Sequence, residues 1–413
     1  MTSIPQIELS GLPESAPVVL LNGLLILMAF LWLLPSLVLF AECGSAVLLS
    51  KPVNPLTPIP LKATYQILIP AHNEAAVISA TLASLLTQVE HPSQIIVIAD
   101  NCTDNTANLA RCHHVKVVER HDPERLGKGF ALDFGIQALK GEPPDGVIVI
   151  DADCVVAPGT IAVLVNEAQT HQRPIQALYL LQQPQPATPK DTLSAFAFMV
   201  KNQIRPAGLT VWNLPCLLTG TGMAFPWQII GPAPLATDNI VEDIQLSIDL
   251  AIAGHPPRFC EAARVTGILP QQAIAAIQQR QRWEHGYLQT LLGQGPRLIA
   301  QAVKQRRCDL LALAAEISVV PLSLWGVIWL GELTLSLINW QSGGDIISLY
   351  LLLIAGFCLA IAVISAWAKY GRQGIPLPTL LAVPLYVLWK MPLYGAFWLN
   401  RQCQWVRTER DRP

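Results

Sequence analysis

Between residues 65 and 153 the chain sets short apolar runs against longer amphipathic ones. YQILIPA, QIIVIAD, VKVVER and GVIVIDAD read as strands, while EAAVISATLASLLTQV, NTANLARC and GKGFALDFGIQALK between them carry helical periodicity. That alternation predicts βαβ units and a mostly parallel sheet. Outside this region the apolar runs are far longer. A helix needs about 20 residues to cross hydrocarbon, so residues 17–40 predict one span. The stretch DLLALAAEISVVPLSLWGVIWLGELTLSLI from Asp309 predicts a single long span kinked at Pro321, with Glu316 and Glu332 near its borders, placed at the interface or marking a pathway through the membrane. IISLYLLLIAGFCLAIAVISAW predicts another span. LPTLLAVPLYVLWKMPLYGAFWL, broken by Pro384, Lys390 and Pro392, predicts a third C-terminal span or a re-entrant segment.

The pattern divides the chain into an N-terminal anchor at 1–50, an α/β module at 51–296 and a C-terminal membrane region with a basic tail at 297–413. The Pro-rich KPVNPLTPIPLK marks entry to the module, because proline cannot continue the preceding helix. No Lys or Arg precedes the first span, unlike a cleaved signal peptide, and Lys51 and Lys62 follow it. The positive-inside rule then places the module in the cytoplasm, at the plasma (inner) membrane. The polar PQQAIAAIQQRQRWEHGYLQTLL predicts a helix lying at the cytoplasmic membrane face, in contact with membrane lipids.

Composition narrows the classes. Of the 413 residues, 52% are hydrophobic, too many for an ordinary soluble protein. A net charge of −2 gives no electrostatic footprint for nucleic acid. The nine cysteines form no C-x-x-C pair, which excludes a disulfide framework or zinc site as the organising feature. A polar module filling more than half the chain argues against a transporter.

Ligands of parallel α/β sheets sit at the carboxyl ends of the strands, and polar residues gather there: His72-Asn73-Glu74, Asp100-Asn101, Asp151 and Asp153. In VIVIDADCVVAP, alternate strand residues share a face, so Asp151 and Asp153 are expected to point to one site. Paired carboxylates invite a hard divalent cation, Mg²⁺ or Mn²⁺. Thr103 or Asp104 suits a helix N-cap. Gly127-Lys128-Gly129 lacks P-loop spacing but can meet a phosphate at a helix start. Cys112-His113-His114 lacks metal-ligand spacing and reads as solvated surface. Glu242 and Asp243 open an amphipathic helix, where acidic residues also favour the dipole. LLTGTGMAF is a small-residue loop, either a flexible turn or a place where a ligand can approach the backbone closely.

The succession IPAHNE, ADNCTDNT, LGKGFAL, DAD, TGTGM, VED and QRQRW resembles the membrane-embedded family-2 glycosyltransferases, the group of cellulose, chitin and hyaluronan synthases and ceramide glucosyltransferases. The likeness runs from about Tyr65 to Tyr287. It implies a GT-A α/β domain flanked by transmembrane helices, a UDP-sugar donor and inversion at the anomeric carbon. On that resemblance Glu74 and Asp100 contact the uridine, Lys128 lies near the donor, and Asp153, with Asp151 beside it, holds the metal on the diphosphate. The usual second-motif pair is Ala99-Asp100 here, one aspartate short. Asp243, with Glu242, becomes the candidate base. Gln279 and Arg282 become donor ligands, and Trp283, Gly220 and Thr221 acceptor contacts. A guanidinium matches diphosphate oxygens, and a Trp face suits the C–H surface of a pyranose. Arg280 reads as a solvated or lipid-facing charge.

The expected activity is transfer of a hexose or N-acetylhexosamine from a UDP-sugar to a growing glycan through a β-linkage, with export partners for the polysaccharide. Two other readings stand beside it: a single transfer to a lipid acceptor, and a non-catalytic sugar-nucleotide-binding scaffold. The scaffold predicts loss of base, metal or Arg positions, all of which are present.

Overall fold

The computed structural model describes residues 16–50, 63–184, 186–268 and 273–399. The apolar runs form strands β1 (Tyr65–Ala71), β2 (Ile95–Asp100), β3 (Lys116–Arg120) and β4 (Gly146–Val149), followed by β5 (Cys154–Val156), β6 (Ile175–Gln182), β7 (Met223–Pro226) and β8 (Arg258–Ile268). They build one sheet in the order β3-β2-β1-β4-β7-β6-β8-β5. The β1–β4 group is parallel throughout. β7 runs antiparallel between β4 and β6, and β5 runs antiparallel to β8. The carboxyl ends of β1, β2 and β4 therefore open on one edge, beside the point where strand direction reverses.

Alternation along β1 splits the core into two layers. Ile67 and Ile69 pack with Ile78, Leu82 and Leu164 on one face. Leu68 packs with Ile98, Leu132, Ile136 and Leu246 on the other. Helices Ile78–Leu86 and Thr160–His171 thus cover one face, and Lys128–Leu139 and Glu242–Ile252 the other. The first helix is shorter than its sequence pattern predicts, because Glu74 lies in a turn whose carbonyl accepts Val77 and Ile78 N–H at 3.0 Å each. The division expected at 296 falls inside one continuous helix, Ala273–Gln305.

Among the described residues, Val18–Leu49, Leu322–Gln341 and Ile347–Gly371 are long and apolar enough to cross a membrane. The single kinked span expected from Asp309 is instead two helices, Cys308–Ser318 and Leu322–Gln341. Val319 is extended and Pro321 caps the second helix, so the proline ends one element and starts the next. The shorter helix packs in the module, where Leu310, Leu313 and Ile317 share a cluster with Ile244 and Ile248. Glu316 and Glu332 do not face outward as border charges. Both are buried, Glu332 midway along its span. The last apolar stretch forms Val383–Leu399, shorter than the three spans. The linker 51–62 and the basic tail from 400 onward lie outside the described residues.

The first long helix is bound tightly to the module. Arg205 Nε donates to Glu42 Oε2 at 2.6 Å with both side chains buried, and Trp212 Nε1 donates to Ser45 Oγ at 2.8 Å. A Cβ on Gly208 would come within 1.9 Å of the Glu42 carbonyl oxygen, so only glycine permits this crossing.

Candidate functional site

Two loop clusters occupy the open edge. In the first, the turns after β1 and β2 are tied together. Asn73, at φ 56°, accepts the N–H groups of Thr103 and Asp104 on its Oδ1 at 2.7 and 3.1 Å. Glu74 N donates to Thr106 Oγ1 at 2.8 Å. Asp104 accepts Ala75 N and Thr106 N, a structural role, but the cap position of helix Thr106–Cys112 falls to Asn105 and not to Thr103 or Asp104. Asp100 is 6% exposed, and its Oδ1 accepts Arg120 Nη1 at 2.6 Å and Asn101 Nδ2 at 3.0 Å. Burial raises its carboxyl pKa while Arg120 opposes the rise. Arg120 went unnoticed in the sequence, although as the last residue of β3 it lies directly across the parallel pair from Asp100.

The second cluster centres on Lys128. Gly127 takes φ 126°, ψ 160°, a conformation reserved for glycine, and starts helix Lys128–Leu139. Lys128 Nζ then donates to Asp151 Oδ1 at 2.5 Å and to the Gly220 carbonyl at 2.7 Å, and lies 3.8 Å from Glu242 Oε1. Gly220 sits at φ 86°. A Cβ there would be 3.3 Å from both Asp243 Oδ2 and Lys128 Nζ. Lys128, Asp151, Gly220, Glu242 and Asp243 therefore converge from four separate elements.

The loop carrying Gly220 is held from behind. Gln176 on β6 is buried, accepts Thr219 N at 2.8 Å and donates to the Thr221 carbonyl at 2.9 Å. Ser247 accepts Leu218 N and donates to the Asp243 carbonyl, coupling the loop to helix Glu242–Ile252. Neither Gln176 nor Ser247 stood out in the sequence. Thr221 needs correction as an acceptor contact: it is fully buried, and its hydroxyl accepts Asp151 N at 3.0 Å.

β4 ends at Val149, so strand alternation does not align the two aspartates. Asp151-Ala152-Asp153 instead forms a turn in which Cys154 N donates to the Asp151 carbonyl. One ligand atom each from Asp151, Asp153 and Cys154 still lies within 4.8 Å of the others. Burial pushes the Cys154 thiol well above its ordinary pKa, keeping it protonated. Two carboxylates remain, an oxygen donor set fitting Mg²⁺ or Mn²⁺.

The electrostatics suit proton transfer. Burial first, and then the neighbouring Asp243 charge, raise Glu242 to about 7, with Lys128 opposing. Burial also raises Asp243 against Lys128 and Lys201. For Lys128, burial favours the neutral amine, but Asp151, Glu242 and Asp243 together outweigh it and hold the ammonium charged. A carboxylate pair poised upward in a cleft is a feature of acid–base sites.

Gln279, Arg282 and Trp283 stand on helix Ala273–Gln305. Gln279 is buried, whereas Arg282 and Trp283 are half-buried. The Trp283 ring lies 5.9 Å from Phe198, which meets Tyr179 edge-on at 5.2 Å. Tyr179 in turn lies within electrostatic reach of Asp151 and Asp153. Trp283 is thus linked to the aspartate turn through two intervening rings. Arg280 is not a solvated charge. It is 7% exposed, its guanidinium 5.2 Å from the Trp389 ring centroid, because helix Val383–Leu399 folds over it. The same helix brings Lys390 into a buried ion pair with Glu284.

The edge where the sheet reverses direction thus carries an aspartate turn, a lysine and a raised carboxylate pair. The family description Glycosyltransferase like family 2 matches residues 63–286, more than half the chain, and the chain belongs to that family. It is 28% identical over 262 residues to the probable glycosyltransferase YdaM of Bacillus subtilis, covering 58% of each chain. It is 25% identical over 235 residues to poly-beta-1,6-N-acetyl-D-glucosamine synthase of Staphylococcus aureus, covering 54% of this chain and 55% of that one. The chain spans a little over half the length of these relatives. Among solved structures, the mannosyltransferase PcManGT of Pyrobaculum calidifontis, in complex with GDP-Man and Mn²⁺, aligns with 93% of this chain and 100% of its own, at a TM-score of 0.52 and 15% identity. That likeness supports a GT-A-like fold extending into the apolar helices.

Proposed function

We propose that this protein is a membrane-integral, metal-dependent, inverting glycosyltransferase that moves a hexose or N-acetylhexosamine from a UDP-sugar to a growing glycan through a β-linkage. The observation that carries this reading is the convergence of Lys128, Asp151 and Asp243 around Gly220, with Asp153 on the same turn. Asp243 Oδ2 takes the proton of the acceptor hydroxyl as its oxygen attacks the anomeric carbon, and the bond to the nucleoside diphosphate breaks with inversion. Asp151 and Asp153 would hold Mg²⁺ or Mn²⁺, which supplies positive charge to the leaving diphosphate when bound. Lys128 orients Asp151 and the Gly220 carbonyl. Arg282 and Gln279 clamp the diphosphate, Trp283 presents a ring to the acceptor, and Glu74 and Asp100 face the uridine.

The module works in the cytoplasm at the plasma membrane, and a polysaccharide product calls for export partners. A single transfer to a membrane lipid is the second reading, favoured by the small number of spans among the described residues. Purified full-length protein, given glycan and lipid acceptors, should release UDP from one member of a donor panel when Mg²⁺ or Mn²⁺ is present. GDP-mannose belongs in that panel, since it is the donor bound to PcManGT. Mass spectrometry of the product then separates the readings. A ladder of lengths supports the polymerase, one added sugar supports the lipid transferase, and no turnover with any donor favours a scaffold.

A further inference from the structure

Helix Val383–Leu399 has two unlike faces. Inward, Tyr386 hydrogen-bonds Ser194 at 3.0 Å, Tyr394 hydrogen-bonds Ser323 at 2.5 Å, and Lys390 pairs with Glu284. Outward, Leu385, Leu388 and Met391 are 70, 59 and 45% exposed at helical spacing, a stripe that hydrocarbon would cover. Where the faces meet, Trp389 has cations around it. Lys190 Nζ lies 3.3 Å from its ring centroid and the Arg280 guanidinium 5.2 Å.

Among the described residues neither cation forms a salt bridge, although the Asp191 charge reaches Lys190. Glu284 is taken by Lys390, and Asp191 closes the capping box of its own helix with Thr188. Arg280 Nη1 is buried and has no hydrogen-bond partner among the described residues. Burial, and then the Arg280 charge, lower the pKa of the half-buried Lys190. Like charges brought together over one ring at the edge of an apolar stripe favour an anion, and the stripe suits one that carries a hydrocarbon tail.

We propose that a phosphate-bearing lipid docks at this junction, its phosphate on Lys190 with the Arg280 charge behind it, and its acyl chains along Leu385, Leu388 and Met391. The proposal does not rest on the sugar-transfer reading, because its residues are Lys190, Arg280, Trp389 and the outer face of helix Val383–Leu399. The lipid would pin helix Val383–Leu399 to the bilayer, and through Glu284 would steady the helix carrying Arg282 and Trp283.

Native mass spectrometry of the full chain, exchanged from detergent into mixtures of phosphatidylglycerol and phosphatidylcholine, tests this. Wild type should retain phosphatidylglycerol preferentially, and the K190Q/R280Q variant should bind it roughly tenfold or more weakly. K190Q alone, on a half-exposed position that folding tolerates, should lose about half of that effect on a logarithmic scale. L385N/L388N should weaken both lipids. Inorganic phosphate at millimolar concentration should not displace the lipid from wild type. An unchanged lipid ratio in K190Q would overturn the proposal. So would phosphate binding that Lys190 governs while phosphatidylglycerol binding stays unaltered, since the site would then take a free ion.

Discussion

Gly220→Ala separates the reacting cluster from ordinary folding. At φ 86° an alanine meets left-handed strain of roughly 1–2 kcal/mol. Its Cβ also stands 3.3 Å from Asp243 Oδ2 and from Lys128 Nζ, tighter than side chains ordinarily sit, so one of the two must retreat by a few tenths of an ångström. Gly254 supplies the control. It has φ 101° at the end of helix Glu242–Ile252, and a Cβ there meets nothing within 4 Å. Both substitutions should therefore lower stability by a similar amount, about 1–2 kcal/mol, read as unfolding midpoints in detergent. Only Gly220→Ala should also slow transfer. If the strain is relieved by moving the carbonyl that Lys128 grips, a loss of roughly 5- to 30-fold in kcat follows from about 1–2 kcal/mol in the barrier. UDP release per folded molecule, measured for both variants beside wild type, gives the answer. Equal rates in Gly220→Ala and Gly254→Ala would mean that the junction of Lys128, Gly220 and Asp243 is not where the reaction occurs.

Further outcomes follow from the same geometry. Asp243→Asn should keep nucleotide affinity, measured by calorimetry, while transfer falls about 10²- to 10⁴-fold, the usual contribution of a general base; unchanged transfer would remove Asp243 from that role. Burial lifts Glu242 from 4.5 to about 7, so the folded chain keeps a proton that the unfolded chain has released. Stability should then fall as pH rises from about 4.5 through about 7, and Glu242→Gln should flatten that slope in denaturant titrations across the window. Lys390→Met removes the partner of the mostly buried Glu284, at an expected cost of about 3–5 kcal/mol. Adding Glu284→Gln should restore most of the loss in a double-mutant cycle, and simple additivity would contradict the pairing.

The sheet was legible because its signals are local: apolar runs of strand length, turn residues at their ends, and periodic helices between them. The same logic put Glu74, Asp100, Asp151 and Asp153 at one edge. The D-x-D reading reached two neighbouring carboxylates by an incorrect route, since a turn and not a continuing strand brings them together. Gln176 and Ser247 left no local signal, because their importance comes from backbone groups distant in sequence. Arg280 looked like a surface charge for a related reason. Periodicity reports which face of a helix is polar, but not that Trp389 and Lys190, on other helices, arrive to cover it. Pro321 was recognised as a disruption, yet only the packing of Cys308–Ser318 into the module decides that it separates two elements.

The crossing at Gly208 changes what the first apolar helix is. With Glu42 locked to Arg205 and its backbone against Gly208, a helix long and apolar enough to cross a membrane also completes the module's interior. It cannot be swapped for another hydrophobic segment of equal length, nor cut away to free a soluble enzyme, without opening a polar wound in the remainder. Attachment and folding here are one inheritance. The contacts that fold the module also set where the cluster around Lys128 stands relative to that helix.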